Sequence, residues 1–496
     1  MYKDELNIVV QNKWVVPDEA QSATKLNMAI AAGDYPDIFY VQAADYKRYA
    51  SSNVIADLTS LYDKYLTDNS KKMLNCDNGY ALNSIKLNGK YYGLPTQSSP
   101  YDSAKLLFLR SDWLKKLNLS APTTIAELEK VADAFTNQDP DGNGKKDTYG
   151  LALDGKDIEN WWGDVEPFFE MYNAYPLAIG YKGNFSLVKD NGGKLVWGGS
   201  LPGMKPALAE LQKFYKNGWI AQDFGTMDGT KAQSEVSSGR AGMFFAPMYG
   251  AMTVEIDLLK TNPNATLTAV PIPGVDANTP GKTFLPSSLK NILVVSSKCK
   301  HPEALFKIYN IGYEKVAFAK DANTYAKFNG DRANFSGWKL AIFNGLDPMK
   351  NYTFYQKIRP AVEKKDPAGL TPDMLLNYNQ IVNNYLGKPA SGTDNNYVQA
   401  WGVYNVFAAP DGGYAAVDKL VKAKNYVTAG FGGAPTDAMA TKSATLTDLI
   451  KTNIIKIIYG SAPVDSWDSV VTNWNNLGGN DVLKDANEWL NASDGK

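Results

Sequence analysis

The stretch from Thr124 to Leu153 constrains this chain more than any other. Thr124 and Glu127 stand at capping-box spacing, and Ile125, Leu128, Val131 and Phe135 fall on one face of a helix. That helix runs directly into TNQDPDGNGKKDTYG and then into YGLAL, which reads as a strand. Helix, tight loop and strand in close succession are the alternation of an α/β protein.

The same alternation opens the chain. LNIVVQ reads as a buried strand, PDEAQSATKLNMAIAAG as a helix ending at Gly33, and PDIFYVQ as a second strand, the unit of a parallel sheet covered by helices. SIKLNGKYYGLP alternates around Asn88-Gly89, and NFSLVKDNGGKLVW around Asn191-Gly192-Gly193, both hairpin signals. LLFLR predicts a strand leading into a helix over SDWLKKLNL, capped by Ser111 or Asp112. PALAELQKFYKNGWI predicts an amphipathic helix, SSGRAGMFFAPM a glycine turn and a buried strand, and LTAVPIPG and NILVVS further strands. From about residue 331 the pattern is mostly helical, with no internal repeats.

Composition excludes several classes of function. The 51 basic and 52 acidic residues balance, so the clustered positive field that nucleic acid or a lipid surface requires is missing. Among the basic residues the arginines are Arg48, Arg110, Arg240, Arg332 and Arg359, which leaves few planar forks for a carboxylate or phosphate ligand. Cys76 and Cys299 lack metal-ligand spacing, and His301, in KCKHPEAL, has no neighbours suited to catalysis. No stretch approaches the roughly 18 apolar residues of a membrane span. With no leader before the first expected strand, the chain is either cytoplasmic or exported with its signal removed.

The acidic loop has a calcium-binding pattern. Counting Asp139 as position one, Asp141 is three, Asn143 five, Gly144 six, Lys145 seven and Asp147 nine. Side-chain oxygens at one, three, five and nine and a carbonyl at seven suit a hard cation on a sharply turning loop. Position twelve departs from the pattern, with Gly150 where an EF-hand carries a bidentate glutamate. A single loop with no paired loop is expected to act as a structural clip, not a sensor.

Six segments in order, AAGDYPDIF, KLNGKYYGLP, FLRSDWLKKLNL, DPDGNGKKDTYGL, SSGRAGMFF and SKCKHPEALFKIYN, resemble family 1 extracellular solute-binding proteins, the substrate-capturing subunits of ABC importers. The likeness covers nearly the whole chain and is greatest to the alginate-binding branch. It implies an α/β, two-lobed periplasmic-binding-protein fold of type II-like form, with a ligand cleft between lobes joined by hinge strands. The N-terminal lobe is expected over 1–150 plus about 287–330, and the C-terminal lobe over about 151–286 plus 331–496. The resemblance implies structural Ca2+ held by Asp139, Asp141, Asn143, the Lys145 carbonyl and Asp147, with Thr148 where relatives gain a glutamate oxygen. It also implies a cell-surface lipoprotein or periplasmic protein, expected to act as a monomer. Ligand would stabilise the closed form that ABC permease subunits recognise.

A sugar cleft stacks aromatic rings on the sugar's apolar face while amides and hydroxyls take its hydroxyls. Trp113, Trp219, Trp467, Trp474 and Trp489 have amphipathic helical contexts and are expected in the core. Trp14, Gln97, Ser98 and Tyr249 follow strands, where α/β sheets present ligand contacts. Trp161 and Trp162 are adjacent in ENWWGD, so at least one should be exposed. Trp338, Asn395 and Trp401 lie in polar, glycine-containing surroundings. These residues are the expected carbohydrate contacts, and the scarcity of arginine favours a neutral oligosaccharide. The rival is a secreted glycoside hydrolase, which needs two carboxylates at a defined separation. No motif marks such a pair and neither G-x-S-x-G nor a P-loop occurs, so a binding protein without catalysis is expected.

Overall fold

In the computed structural model, which describes residues 2–16, 19–77, 79–158, 161–177, 187–330, 337–433 and 435–493, the helix Ile125–Asn137 begins as its capping box requires. Thr124 Oγ1 accepts from Glu127 N at 3.3 Å, and Glu127 Oε2 accepts from Thr124 N at 3.2 Å. Ile125, Leu128, Val131 and Phe135 are buried. The strand Tyr149–Ala152 passes so close beneath this helix that a Cβ on Gly150 would lie 2.9 Å from the Ala132 Cα and 3.0 Å from the Trp219 carbonyl oxygen. Position twelve of the acidic loop is therefore a packing contact, with no room for a glutamate.

The chain divides into two units. The first comprises Met1–Ser99, Ser287–Lys350 and Gly432–Pro435; the second comprises Pro100–Pro286, Asn351–Phe431 and Thr436–Lys496. The first crossing thus falls at Ser99–Pro100 and not at the expected residue 150. The reason is the strand Leu106–Arg110, which is central in the second unit's sheet, between Leu267–Pro271 and Ala241–Ala246, with Tyr149–Ala152 at the far edge. The segment Pro100–Pro286, the acidic loop included, accordingly belongs to the second unit.

In the first unit the strand Leu289–Val295 lies between Ile38–Val41 and Gly93–Gln97, antiparallel to both. Phe39, Val41, Tyr46, Ile55, Ile292 and Val294 form its core. The expected parallel sheet is corrected here: among the described residues, the second unit's sheet has one parallel pair, Tyr149–Ala152 with Ala241–Ala246, and is otherwise antiparallel. LNIVVQ is a further correction. A short helix, Tyr2–Leu6, stops at Asn7 with φ 55°, and the segment beyond is outside the sheets, with Val9 65% exposed.

Turn chemistry follows expectation. Asn88 and Gly89 have φ of 49° and 81°, the left-handed pair a two-residue hairpin needs. The helix Ser111–Lys116 differs: its N-cap is Arg110, and Asp112 is drawn off to bind the Arg110 guanidinium through two bonds of 2.8 and 2.6 Å. The helical tryptophans Trp113, Trp467 and Trp474 are buried, as is Trp219 just past the end of the helix Met204–Lys216, and Trp489 packs partly buried against the same core.

Candidate functional site

Each unit holds its own share of the expected contacts. In the first, the ladder between Gly93–Gln97 and Leu289–Val295 is irregular between Leu289 and Asn291. Thr96 spans the irregularity, accepting from Asn291 N at 3.1 Å and donating to its carbonyl at 3.0 Å. Ser98 N then donates to the Ser288 carbonyl at 2.9 Å. Between them Gln97 ends the strand, and its amide oxygen and nitrogen are both closed off from solvent with no hydrogen-bond partner. Trp14 is half-buried outside the sheets, with Lys25 Nζ 5.7 Å from its ring centre. Trp338 falls in the turn Gly337–Lys339, and its side chain lies outside the described residues.

In the second unit the two adjacent tryptophans separate as their backbone demands. Trp162 is fully buried, stacks on Phe244 at 4.9 Å and 18°, and donates its indole N–H to Thr253 Oγ1 at 2.8 Å. It is a core residue with no face to offer a sugar. Trp161 is 47% exposed and leans on Tyr249, with ring centres 5.9 Å apart and planes 33° apart. Tyr249 follows the strand Ala241–Ala246 and precedes the helix Gly250–Thr261, so a rigid strand end holds the pair.

Trp401 is also in the core, 3% exposed, because the helix Asn395–Phe407 is apolar nearly all round and buries most of its residues. Asn395 opens that helix and is exposed; Asp394 caps it by accepting from Asn396 N at 2.9 Å. The polar neighbours that suggested exposure for Trp401 lie at the helix start, one and a half turns away.

The acidic loop folds around Asn143. Asp139 accepts from Gly142 N at 3.1 Å and Gly144 N at 3.2 Å, while Asn143 Oδ1 accepts from Lys145 N at 2.7 Å. Asn143 Nδ2 lies 2.7 Å from Asp141 Oδ2 and 3.2 Å from both Asp147 carboxylate oxygens. Desolvation, and then the nearby Asp139 and Asp147, raise the Asp141 carboxyl above its ordinary value. Thr148 points elsewhere, donating to the Phe135 carbonyl at 2.8 Å. As they stand, no three His, Cys, Asp or Glu side chains among the described residues are gathered to hold a metal ion.

Buried carboxylates elsewhere in the second unit serve the fold. Asp164 pairs with Lys105 at 2.7 Å, Glu166 accepts from Leu177 N at 2.9 Å, and Glu170 accepts from Phe284 N at 3.1 Å. Burial pushes Glu170 up to about 8. Sequence reasoning missed these because a carboxylate in a core has no spacing rule. No helix among the described residues is long and apolar enough to cross a membrane.

Residues 2–328 match the family model described as bacterial extracellular solute-binding protein. Among curated proteins, the polygalacturonan/rhamnogalacturonan-binding protein YtcQ of Bacillus subtilis is 32% identical over 242 residues, 49% of this chain and 44% of that protein. The fructooligosaccharide ABC transporter substrate-binding protein FusA of Streptococcus pneumoniae is 30% identical over 184 residues, 35% of this chain and 34% of that protein. The chain therefore spans less than half the length of either relative. Solved structures share the fold over almost the whole chain. The alginate-binding protein AlgQ2 without calcium ion gives a TM-score of 0.61 at 21% identity, covering 94% of this chain and 88% of that one. An EF-hand mutant of the S. pneumoniae FusA with fructo-nystose gives 0.59 at 17%, covering 95% and 91%.

Proposed function

This chain belongs to the bacterial extracellular solute-binding protein family, and on that premise we propose that it captures an oligosaccharide and delivers it to the permease of an ABC importer. The observation that carries the sugar assignment is the exposed Trp161 ring braced on Tyr249, an aromatic platform of the kind that stacks on a pyranose. Gln97 and Ser98 at a strand end of the first unit, with Trp14 and Asn395, complete the proposed contacts. Carbohydrate-binding relatives support the substrate class. The scarcity of arginine favours a neutral glycan over a uronate. The chain works outside the cytoplasmic membrane, as a monomer and without catalysis.

The acidic loop is proposed to hold one Ca2+ as a structural clip through Asp139, Asp141, Asn143, the Lys145 carbonyl and Asp147. Its residues suit a hard cation: three carboxylates and an amide sit on one turn, and burial with the neighbouring Asp139 and Asp147 raises the Asp141 carboxyl. To present its oxygen to a cation the Asn143 amide would turn over, giving up the bond its Oδ1 accepts from Lys145 N. AlgQ2 described without calcium ion and FusA described as an EF-hand mutant, both sharing the fold, support the assignment.

Titration calorimetry against a panel of neutral and acidic oligosaccharides tests the function. Micromolar or tighter binding with the glycan recovered intact is expected, whereas turnover of any glycan would restore the hydrolase alternative. Tighter binding of an oligogalacturonate than of every neutral glycan would overturn the neutral assignment.

A further inference from the structure

In the first unit, Asp77 leaves one carboxylate oxygen with nothing to accept. Its Oδ2 is committed to the fold: it accepts from Ala81 N at 3.0 Å, at the start of the helix Tyr80–Ser84, and from the Ser288 hydroxyl. Its Oδ1 is closed off from solvent and has no hydrogen-bond partner. Ser288 carries the connection onward, because its carbonyl accepts from Ser98 N, one residue past Gln97. Gln97 itself holds two more buried atoms without partners. Ser288 thus ties the Asp77 carboxylate to the backbone one residue beyond Gln97, and the free atoms of both side chains are out of water.

Leaving a buried polar atom unsatisfied costs roughly 1–3 kcal/mol, so native proteins keep such atoms where a ligand or ordered water fills them. The anchoring of Oδ2 also fixes the carboxylate, so Oδ1 is presented in one orientation. An ionised carboxylate only accepts hydrogen bonds, whereas a primary amide both donates and accepts. The C6 hydroxyl of a hexopyranose and its neighbour on C4 match that combination.

We propose that Asp77 and Gln97 together bind sugar hydroxyls, and that Asp77 selects a neutral oligosaccharide against its uronate counterpart. A hydroxymethyl group donates to Oδ1, while a ligand carboxylate would meet like charge in a desolvated place. The assignment rests on the oligosaccharide function proposed above.

The test is calorimetry of the wild-type chain and Asp77→Asn with cellotetraose, galactotetraose and their C6-oxidised uronate forms. Wild-type protein should prefer the neutral form by at least about tenfold. Asp77→Asn should weaken neutral binding about 10- to 100-fold and bring the uronate form level or ahead, because the new amide nitrogen donates where Oδ1 repelled. An unchanged preference in the variant overturns the assignment, as does equal loss for both forms. If the variant's melting temperature falls, Gln97→Leu carries the test, since that amide holds nothing in the fold. It should cost the neutral ligand about tenfold or more at an unchanged melting temperature, and wild-type affinity in this variant overturns the pairing. Wild-type silence toward these sugars and toward the whole panel above overturns the oligosaccharide function itself, and with it this assignment.

Discussion

Glu255 and Gly402 face each other across two packed helices of the second unit so closely that a Cβ on Gly402 would overlap the Glu255 carboxylate. Glu255 is 6% exposed, and its Oε2 is buried without a partner. Burial pushes its carboxyl from 4.5 up to about 8.

A folded value above the unfolded one means that the native state holds a proton which the unfolded chain releases. The resulting stability is fully present below pH 4.5 and is lost as pH rises toward about 8. At about 1.4 kcal/mol per pH unit the loss amounts at most to roughly 5 kcal/mol. Glu170, pushed up to about 8 by burial, loses stability over the same window. Denaturant melts between pH 5 and 8 should therefore show stability falling, and Glu255→Gln should flatten part of the slope. A slope unchanged in the variant would show that Glu255 is ionised in the native state. Gly402→Ala should cost about 1–3 kcal/mol or more through overpacking, measured the same way.

The adjacent tryptophans should respond oppositely to truncation. Trp162→Ala removes a stacked, hydrogen-bonded core ring and should cost about 3–5 kcal/mol of stability. Trp161→Ala should leave the melting temperature within a degree or two while weakening oligosaccharide binding about tenfold, read by calorimetry. If Trp161→Ala binds as the wild type does, the aromatic platform is not part of the sugar site.

Chelation of divalent ions should lower the melting temperature by several degrees, because a ligand that binds only the folded chain stabilises it by mass action. At 25 °C, with the chain still folded, sugar affinity should stay within about twofold, as expected of a structural clip. Loss of sugar affinity under those conditions would move the metal into the binding site.

Gly150→Glu would supply the glutamate that the EF-hand pattern has at position twelve, yet it should not tighten calcium binding. The side chain would have to displace the helix Ile125–Asn137 from the strand beneath it, so the expected result is a loss of several kcal/mol in a thermal melt. Tighter calcium binding in a stable variant would show that the loop, not the packing, chose glycine.

Local signals proved legible where short-range geometry alone decides them. The Thr124–Glu127 cap and the Asn88-Gly89 turn depend on neighbours within four residues, and both formed as read. LNIVVQ failed because an apolar run becomes a strand only when another strand is beside it, and the neighbours of Ile38–Val41 and Gly93–Gln97 come from far along the chain. The boundary at 150 failed for the same reason, since LLFLR joins partners at 241–246 and 267–271. At the site, exposure was the missing quantity. Adjacency implied that one of Trp161 and Trp162 would be exposed without saying which, and the unfilled oxygen of Asp77 became visible only once Ser288 stood beside it.

The central strand of the first unit, Leu289–Val295, also bears on the order of assembly. The second unit has its whole four-stranded sheet once residue 271 has been made, whereas in the first unit Ile38–Val41 and Gly93–Gln97 lack their shared partner strand until residue 295. A chain emerging in sequence therefore carries its N-terminal end unpaired for some two hundred residues past Gln97. The long-range closure it awaits is the slow kind. The sheet of the first unit is thus expected to be the last to close, however early its outer strands are made.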